Sequence, residues 1–344
     1  MHARRLLPLV AAFALSCGDH GPTNPSDPYN GVAAPVGGVA QFSFLPVPLA
    51  PGQSVTALGN LNPPGHTLPS DHIYFYDGDL SKNQPFGSDV NDVIMPATGA
   101  VVFIIRPAIV DYKIIFRATD NFFFYLDHIF LSDSLKVGQV IQAGTKIGTT
   151  GKGQGIDLGA FDLSVKHTGF LDTLRYPGQT LHYVAPRSYF TPALMADIDA
   201  HLYRSASATD KGGQIDFGVA GKLVGDWFLQ GMPKDSSAGP YGWTRQMAFV
   251  YDYFDPTQVR ISIGGTVRSA GVWGISASAP RPENVTPADG IVSYYLYSPF
   301  DPNFPPNGLL LVQVTDASTI KAEYFAGGNA TATQFTSNAV TFIR

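Results

Sequence analysis

Short runs of aromatic and β-branched residues, each cut off within a few positions by glycine, proline or a small polar cluster, constrain this chain more than any other feature. Val101-Val102-Phe103-Ile104-Ile105, Tyr112-Lys113-Ile114-Ile115-Phe116-Arg117 and Phe122-Phe123-Phe124-Tyr125-Leu126 are of this kind. The chain holds 36 Gly and 27 Pro, which break helices and supply turns, while Tyr, Phe, Val and Ile suit a pleated, half-buried surface. The pattern predicts an all-β protein of short strands. One stretch, Thr191 to Arg204, departs from it: apolar residues at Leu194, Met195, Ile198 and Leu202, with Pro192 in the first turn and Thr191 as cap, predict a helix.

The two ends of the pattern differ. Met1 to Cys17 has the layout of a secretory signal, with Arg4 and Arg5 followed by the apolar run Leu6 to Ser16, too short to span a bilayer. The run closes at Ala14-Leu15-Ser16-Cys17, which resembles a bacterial lipobox and contains the only cysteine of the chain. That resemblance implies acylation at Cys17, export, and lipid anchoring to a bacterial membrane, on its periplasmic or cell-surface side. Residues 18–37, rich in Gly, Pro and small polar residues and including His20, read as a flexible linker. The rest is long enough for two domains. Charged residues make up 14% and the net charge is −5, so no basic face exists to neutralise phosphates, and nucleic acid is excluded as a partner.

The first domain is expected over residues 38–190. Two of its segments share an apolar pair, a turn and a returning strand: Asp92-Val93-Ile94-Met95-Pro96-Ala97-Thr98-Gly99-Ala100-Val101 and Val137-Gly138-Gln139-Val140-Ile141-Gln142-Ala143-Gly144-Thr145-Lys146-Ile147-Gly148. Around them stand Gly65-His66-Thr67-Leu68-Pro69-Ser70-Asp71-His72, Tyr125-Leu126-Asp127-His128 and Asp157-Leu158-Gly159-Ala160-Phe161-Asp162. Taken together, residues 60–163 resemble the lysostaphin-type (LytM-like) zinc peptidases, which cut peptidoglycan peptides. The resemblance implies a barrel-sandwich hybrid fold. Biotinyl and lipoyl carriers share that fold, but no hairpin-tip Lys of the Met-Lys-Met kind is present here.

In that family a His and an Asp a few residues apart, with the second His of a His-x-His pair, hold zinc. The fourth position is open to water, which the metal activates. Carried over, His66 and Asp71 stand as ligands and His128 as the catalytic histidine of the Tyr-x-His segment. Both spacings are one residue longer than the family's. At the His-x-His positions this chain has Asp157 and Gly159, so a ligand and a proton shuttle are missing. Asp157 or Asp162 remains as an oxygen donor for a re-formed set with His66 and Asp71. His72 is expected on the face opposite Asp71 if the segment is extended. His167 and His182 carry no motif. The implied reading is a non-catalytic, peptidase-like module without a cofactor, binding or regulating at the cell envelope, with peptidoglycan or envelope proteins as partners. The competing reading is a zinc endopeptidase using His66, Asp71 and Asp157.

Residues 191–213 read as helix and linker. Beyond them, strands are predicted at 214–220, 222–230, 246–253, 258–264, 271–277, 291–297, 308–315, 319–326 and 338–343, spaced as in an antiparallel barrel or sandwich. Gly225-Asp226-Trp227 is similar to the Gly-x-Trp element of lipocalin-type barrels. Trp227 is expected to close one end of the barrel core, and Trp227, Trp243 and Trp273 are the candidates to line a pocket if the barrel is open. No ligand-binding residue and no Ser/His/Asp or phosphate-cradling arrangement stands out in this half.

Overall fold

The computed structural model describes residues 29, 31–106, 111–234, 242–299 and 304–344. The signal-like segment, Cys17 and His20 lie outside the described residues. The described chain is nearly all β, in two antiparallel systems with few helices.

The first system contains β1 (Ser54–Thr56), β2 (His72–Tyr76), β3 (Asp92–Ile94), β4 (Gly99–Ile105), β5 (Tyr112–Arg117), β6 (Phe122–Leu131), β7 (Val140–Ile141), β8 (Lys146–Thr149), β9 (Ile156–Asp162), β10 (Tyr183–Val184) and β11 (Leu202–Tyr203). Its main path runs β11-β1-β2-β9-β6-β5-β4-β7, and β8 connects β3 to the end of β6. Period-two alternation sorts the side chains. Ile73 and Phe75 of β2, Ile114 and Phe116 of β5, Phe122, Phe124 and Leu126 of β6, and Ile156 and Leu158 of β9 enter one large apolar core. Residues at the intervening positions occupy the opposite face. Val102, Ile115, Phe123, Tyr125 and Phe161 form a smaller apolar cluster there, and a row of polar groups continues from it.

The predicted linker begins to pack earlier than expected. The Tyr29 ring stacks on Phe123 at 4.2 Å, and Arg117 donates to the Val32 carbonyl at 2.6 Å. The phenol of Tyr29 is pushed up to about 12 by burial, with Arg117 acting in the opposite sense. After the single turn α1 (Gly178–Leu181), the predicted helix forms as α2 (Pro192–His201), with Ile198 buried and Leu194 and Met195 half-buried against the first core. Thr191 precedes it but makes no side-chain cap bond. β11 then pairs in parallel with β1, and Ile215 packs into the same core, so the segment after α2 is stitched to the first system. Residues 214–220, expected as a strand, are irregular. Their polar ties run sideways to the first system, as where Tyr183 donates to Asp216 at 2.6 Å.

The second system contains β12 (Gly225–Leu229), β13 (Gln246–Tyr251), β14 (Val259–Ile263), β15 (Gly271–Gly274), β16 (Ile291–Leu296), β17 (Gly308–Asp316), β18 (Thr319–Ala326) and β19 (Val340–Ile343). The order β15-β14-β13-β12-β19-β18-β17-β16 makes it an antiparallel meander. Gly274 and Tyr297 exchange two backbone hydrogen bonds at 3.0 Å, which nearly closes the sheet into a barrel. Side chains including Trp227, Phe249, Ile261, Tyr294, Leu310 and Phe342 fill its interior. Trp227 is therefore a core residue. Arg344, at the end of the chain, lies 3.9 Å above its ring and donates to the carbonyls of Val219, Lys222 and Val224. Trp273 is half-buried against the same core, whereas Trp243 turns its carbonyl to Thr67 of the first system.

Candidate functional site

The polar row of the first sheet is built by adjacency across β2, β9, β6 and β5. His72 faces Gly159, which faces Tyr125, and Asp127 faces Asp157 in the next pair along. Lys113 joins them from β5, buried, its ammonium 4.1 Å from the centre of the Tyr125 ring.

Asp71 is the hub. It occupies a bend just before β2, so strand alternation does not separate it from His72. The expectation that the two point apart is overturned: His72 Nδ1 lies 3.2 Å from Asp71 Oδ1. Tyr125 donates to the same oxygen at 2.5 Å, and Thr180 donates to Asp71 Oδ2 at 2.5 Å. Both carboxylate oxygens are thus committed. Burial works to raise the pKa of Asp71, but the His72 hydrogen bond and the charges of His72 and Lys113 overcome it and hold the carboxyl well below the usual range. Burial likewise works to lower His72, and Asp157 and Asp71 outweigh it, so His72 titrates above its ordinary value. Its Nδ1 lies 3.2 Å from Asp71 Oδ1 and 3.0 Å from the Tyr125 hydroxyl, and its Nε2 2.9 Å from the Tyr74 hydroxyl.

His66 stands on the loop before Asp71, its ring 5.1 Å from that of His72. Burial, then the neighbouring charge on His72, push it down to about 3, so it is neutral at physiological pH. His66, Asp71, His72 and Lys113 line a cavity of about 90 Å³ that Asp226 and Trp243 of the second system also line. Thr67 donates to the Trp243 carbonyl at 2.8 Å at its edge. Within the cavity Tyr176 donates to Asp226 at 3.0 Å. Burial pushes Asp226 up to about 7, against the Tyr176 hydrogen bond and the Arg344 charge.

Of the sequence-derived ligand set, His66 and Asp71 share this cavity and Asp157 does not line it. The three do not converge. Among the described residues, the one group of three acidic or histidine side chains whose ligand atoms all lie within 4.8 Å is Asp111, Asp127 and His128. His128, expected as the catalytic partner of that set, sits instead beyond Asp157. A bulge in the β5–β6 pairing and a left-handed backbone at His128, φ 65°, turn it away from the cavity. Its Nδ1 is 3.1 Å from Asp111 Oδ2 and its Nε2 is 3.5 Å from Asp157 Oδ2. Asp157 is raised by burial, against the pull of His72 and His128. Asp162 turns back on Ser164, its Oδ1 accepting from that residue's amide at 2.9 Å. His167 stacks on Tyr183, and His182 bonds the Val165 carbonyl, so both serve packing.

The absence of a ligand at Gly159 has a structural counterpart. A Cβ built there would lie 2.1 Å from two ring carbons of Tyr125 and 2.5 Å from its hydroxyl. Tyr125 occupies the room into which a side chain at 159 would project. Sequence reading passed over Tyr125, Lys113, Thr180 and Asp111. Lys113 carried the one legible signal, an ammonium in the middle of an apolar strand run, where a lysine is almost never buried without a partner.

No family model matches the chain, and no curated protein matches it. Among solved structures it is similar to CbpA from L. salivarius REN, at 22% identity and a TM-score of 0.28 over 47% of this chain and 99% of that one. It is also similar to the catalytic domain of the prophage-encoded protein EnpA from Enterococcus faecalis, at 15% identity and 0.27 over 41% and 95%. Lysostaphin from Staphylococcus simulans gives 11% identity and 0.25 over 67% and 91%. At these scores the likenesses assign no family and no residue role.

Proposed function

We propose that this protein is a non-hydrolytic counterpart of the lysostaphin-type peptidases, acting as a binding or regulatory module at the cell envelope and tethered there through Cys17. One observation carries the reading: the Tyr125 hydroxyl fills the space beside Gly159 and bonds Asp71 at 2.5 Å. A hydrolytic zinc site needs three protein ligands and an open fourth position. Here Asp71 has spent its oxygens on Tyr125, His72 and Thr180, and the buried Lys113 supplies positive charge nearby. A dication placed beside the buried Lys113 ammonium would meet repulsion. The site is a closed hydrogen-bond network, suited to holding shape. Peptidoglycan or an envelope protein is the proposed partner, and no described helix is long and apolar enough to cross a membrane.

The test is incubation of the purified protein with peptidoglycan sacculi. Co-sedimentation without release of soluble muropeptides is expected. Chelator-sensitive release that disappears in His66→Ala would replace this reading with the zinc endopeptidase built on His66, Asp71 and Asp157. The tether is checked separately, since Cys17→Ser is expected to move the protein from the membrane to the soluble fraction.

A further inference from the structure

We infer that Asp111, Asp127 and His128 form a site for a divalent transition-metal ion of the zinc class, apart from the cavity at His66 and Asp71. The three side chains bring two carboxylates and one imidazole to within 4.8 Å of one another. Asp111 is 6% exposed and Asp127 2% exposed, and among the described residues Asp111 Oδ1 has no hydrogen-bond partner. A buried carboxylate oxygen left unmatched is costly, and an ion or a proton must satisfy it. Asp157, 3% exposed, stands opposite Asp127 in the β6–β9 register, its Oδ2 3.3 Å from His72 Nε2. The two buried carboxylates of Asp111 and Asp127, set this close, favour a bound cation.

One ligand pair is spaced as in a metal shell. Two ligands bonded at about 2.1 Å and separated by roughly 95–109° stand about 3.1–3.4 Å apart. His128 Nδ1 and Asp111 Oδ2 are 3.1 Å apart. The His128 amide donates to Asp127 Oδ1 at 2.8 Å and orients that carboxylate. With Nδ1 on the metal, the His128 Nε2 proton faces Asp157 Oδ2, 3.5 Å away, an oxygen that also lies 3.3 Å from His72 Nε2. Metal-bound histidines commonly direct their second N–H to a carboxylate in this way. One imidazole with two carboxylates suits zinc or its neighbours better than calcium, which prefers six or more oxygens. Asp157 touches His72 of the other network, but the ligands Asp111, Asp127 and His128 take no part in the non-hydrolytic reading, so either can fail alone.

The experiment is equilibrium dialysis of the full chain against Zn²⁺ with elemental analysis, paired with visible absorption of the Co²⁺-loaded protein. One equivalent of Zn²⁺ is expected, retained in His66→Ala and lost in Asp111→Asn and in Asp127→Asn, with the Co²⁺ d–d bands following the same pattern. Asp157→Asn is expected to weaken binding about tenfold to a hundredfold by releasing His128. Circular dichroism checks each variant, and if one aspartate variant unfolds the other carries the test. Absence of stoichiometric Zn²⁺ in the wild type overturns the inference. So does binding that survives in both aspartate variants or vanishes in His66→Ala.

Discussion

Replacing Gly159 by alanine tests the central structural claim with a single methyl group. Gly159 has ordinary strand backbone, so the added Cβ brings no conformational strain and its cost is steric. The new carbon would sit 2.1 Å from the Tyr125 ring, against about 3.5–4.0 Å for a comfortable carbon contact. Tyr125 has little room to yield. Its hydroxyl is bonded to Asp71 at 2.5 Å and lies 3.0 Å from His72, and Lys113 lies over its face at 4.1 Å. Overpacking costs about 1–3 kcal/mol, and loss of a hydrogen bond to a charged carboxylate about 1.5–3 kcal/mol, so about 2.5–6 kcal/mol is expected in sum. For a unit of this size that is a fall of roughly 5–24 °C in the Tm of the first system, read by calorimetry. Tyr125→Ala costs about 3–5 kcal/mol by itself, but adding Gly159→Ala to it should then cost less than about 1 kcal/mol, because the obstacle is gone. Equal cost for Gly159→Ala in both backgrounds, or a Tm unchanged within about 1 °C, would refute the idea that Tyr125 occupies the missing ligand's space.

Two buried groups give the stability opposite pH slopes in overlapping windows. The folded state holds His66 down to about 3 against an ordinary 6.5, so the unfolded chain binds the extra proton and stability is lost as pH falls below 6.5. Asp226 is raised to about 7 from 3.8, so here the folded state binds the extra proton, and stability is lost as pH rises from 3.8 through 7. In urea melts between these limits, His66→Gln should flatten the acid-side loss and Asp226→Asn the loss toward neutrality; slopes that change in the same direction would contradict the assignment. Arg344→Ala removes a guanidinium 3.9 Å above the Trp227 ring and three bonds to backbone carbonyls. It should cost about 2–3 kcal/mol and shift tryptophan emission to the red, whereas an unchanged spectrum would show that Arg344 does not shield the indole.

Much of the architecture was legible because it rests on local periodicity. The runs at Val101, Tyr112 and Phe122 alternate between a core face and an opposite face, and they form β4, β5 and β6. In the second half, eight predicted strands appear as β12 to β19 because turn residues punctuate each hairpin. The exception, 214–220, has strand-like composition, but its Ile215 and Asp216 are taken by the first system. His128 shows the same limit at the site. Its place after Tyr125 suggested a partner for His66, but a bulge and a left-handed backbone, invisible to motif spacing, carry it to Asp111.

The sequence by itself determined that the chain is built of short strands, that α2 is, among the described residues, the one substantial helix, and that no histidine is available at Asp157 or Gly159. These follow from residue identity and from intervals of two or four positions. Tertiary structure decided the rest. It brought Tyr125, Lys113 and Thr180 around Asp71 from β6, β5 and α1 (Gly178–Leu181), 54 and 109 residues away for the two hydroxyls. It also gathered Asp111, Asp127 and His128 into one cluster. Hydrogen bonds and ligand shells form over about 3 Å of space, and only the pairing of strands distant in sequence sets which side chains meet at that range.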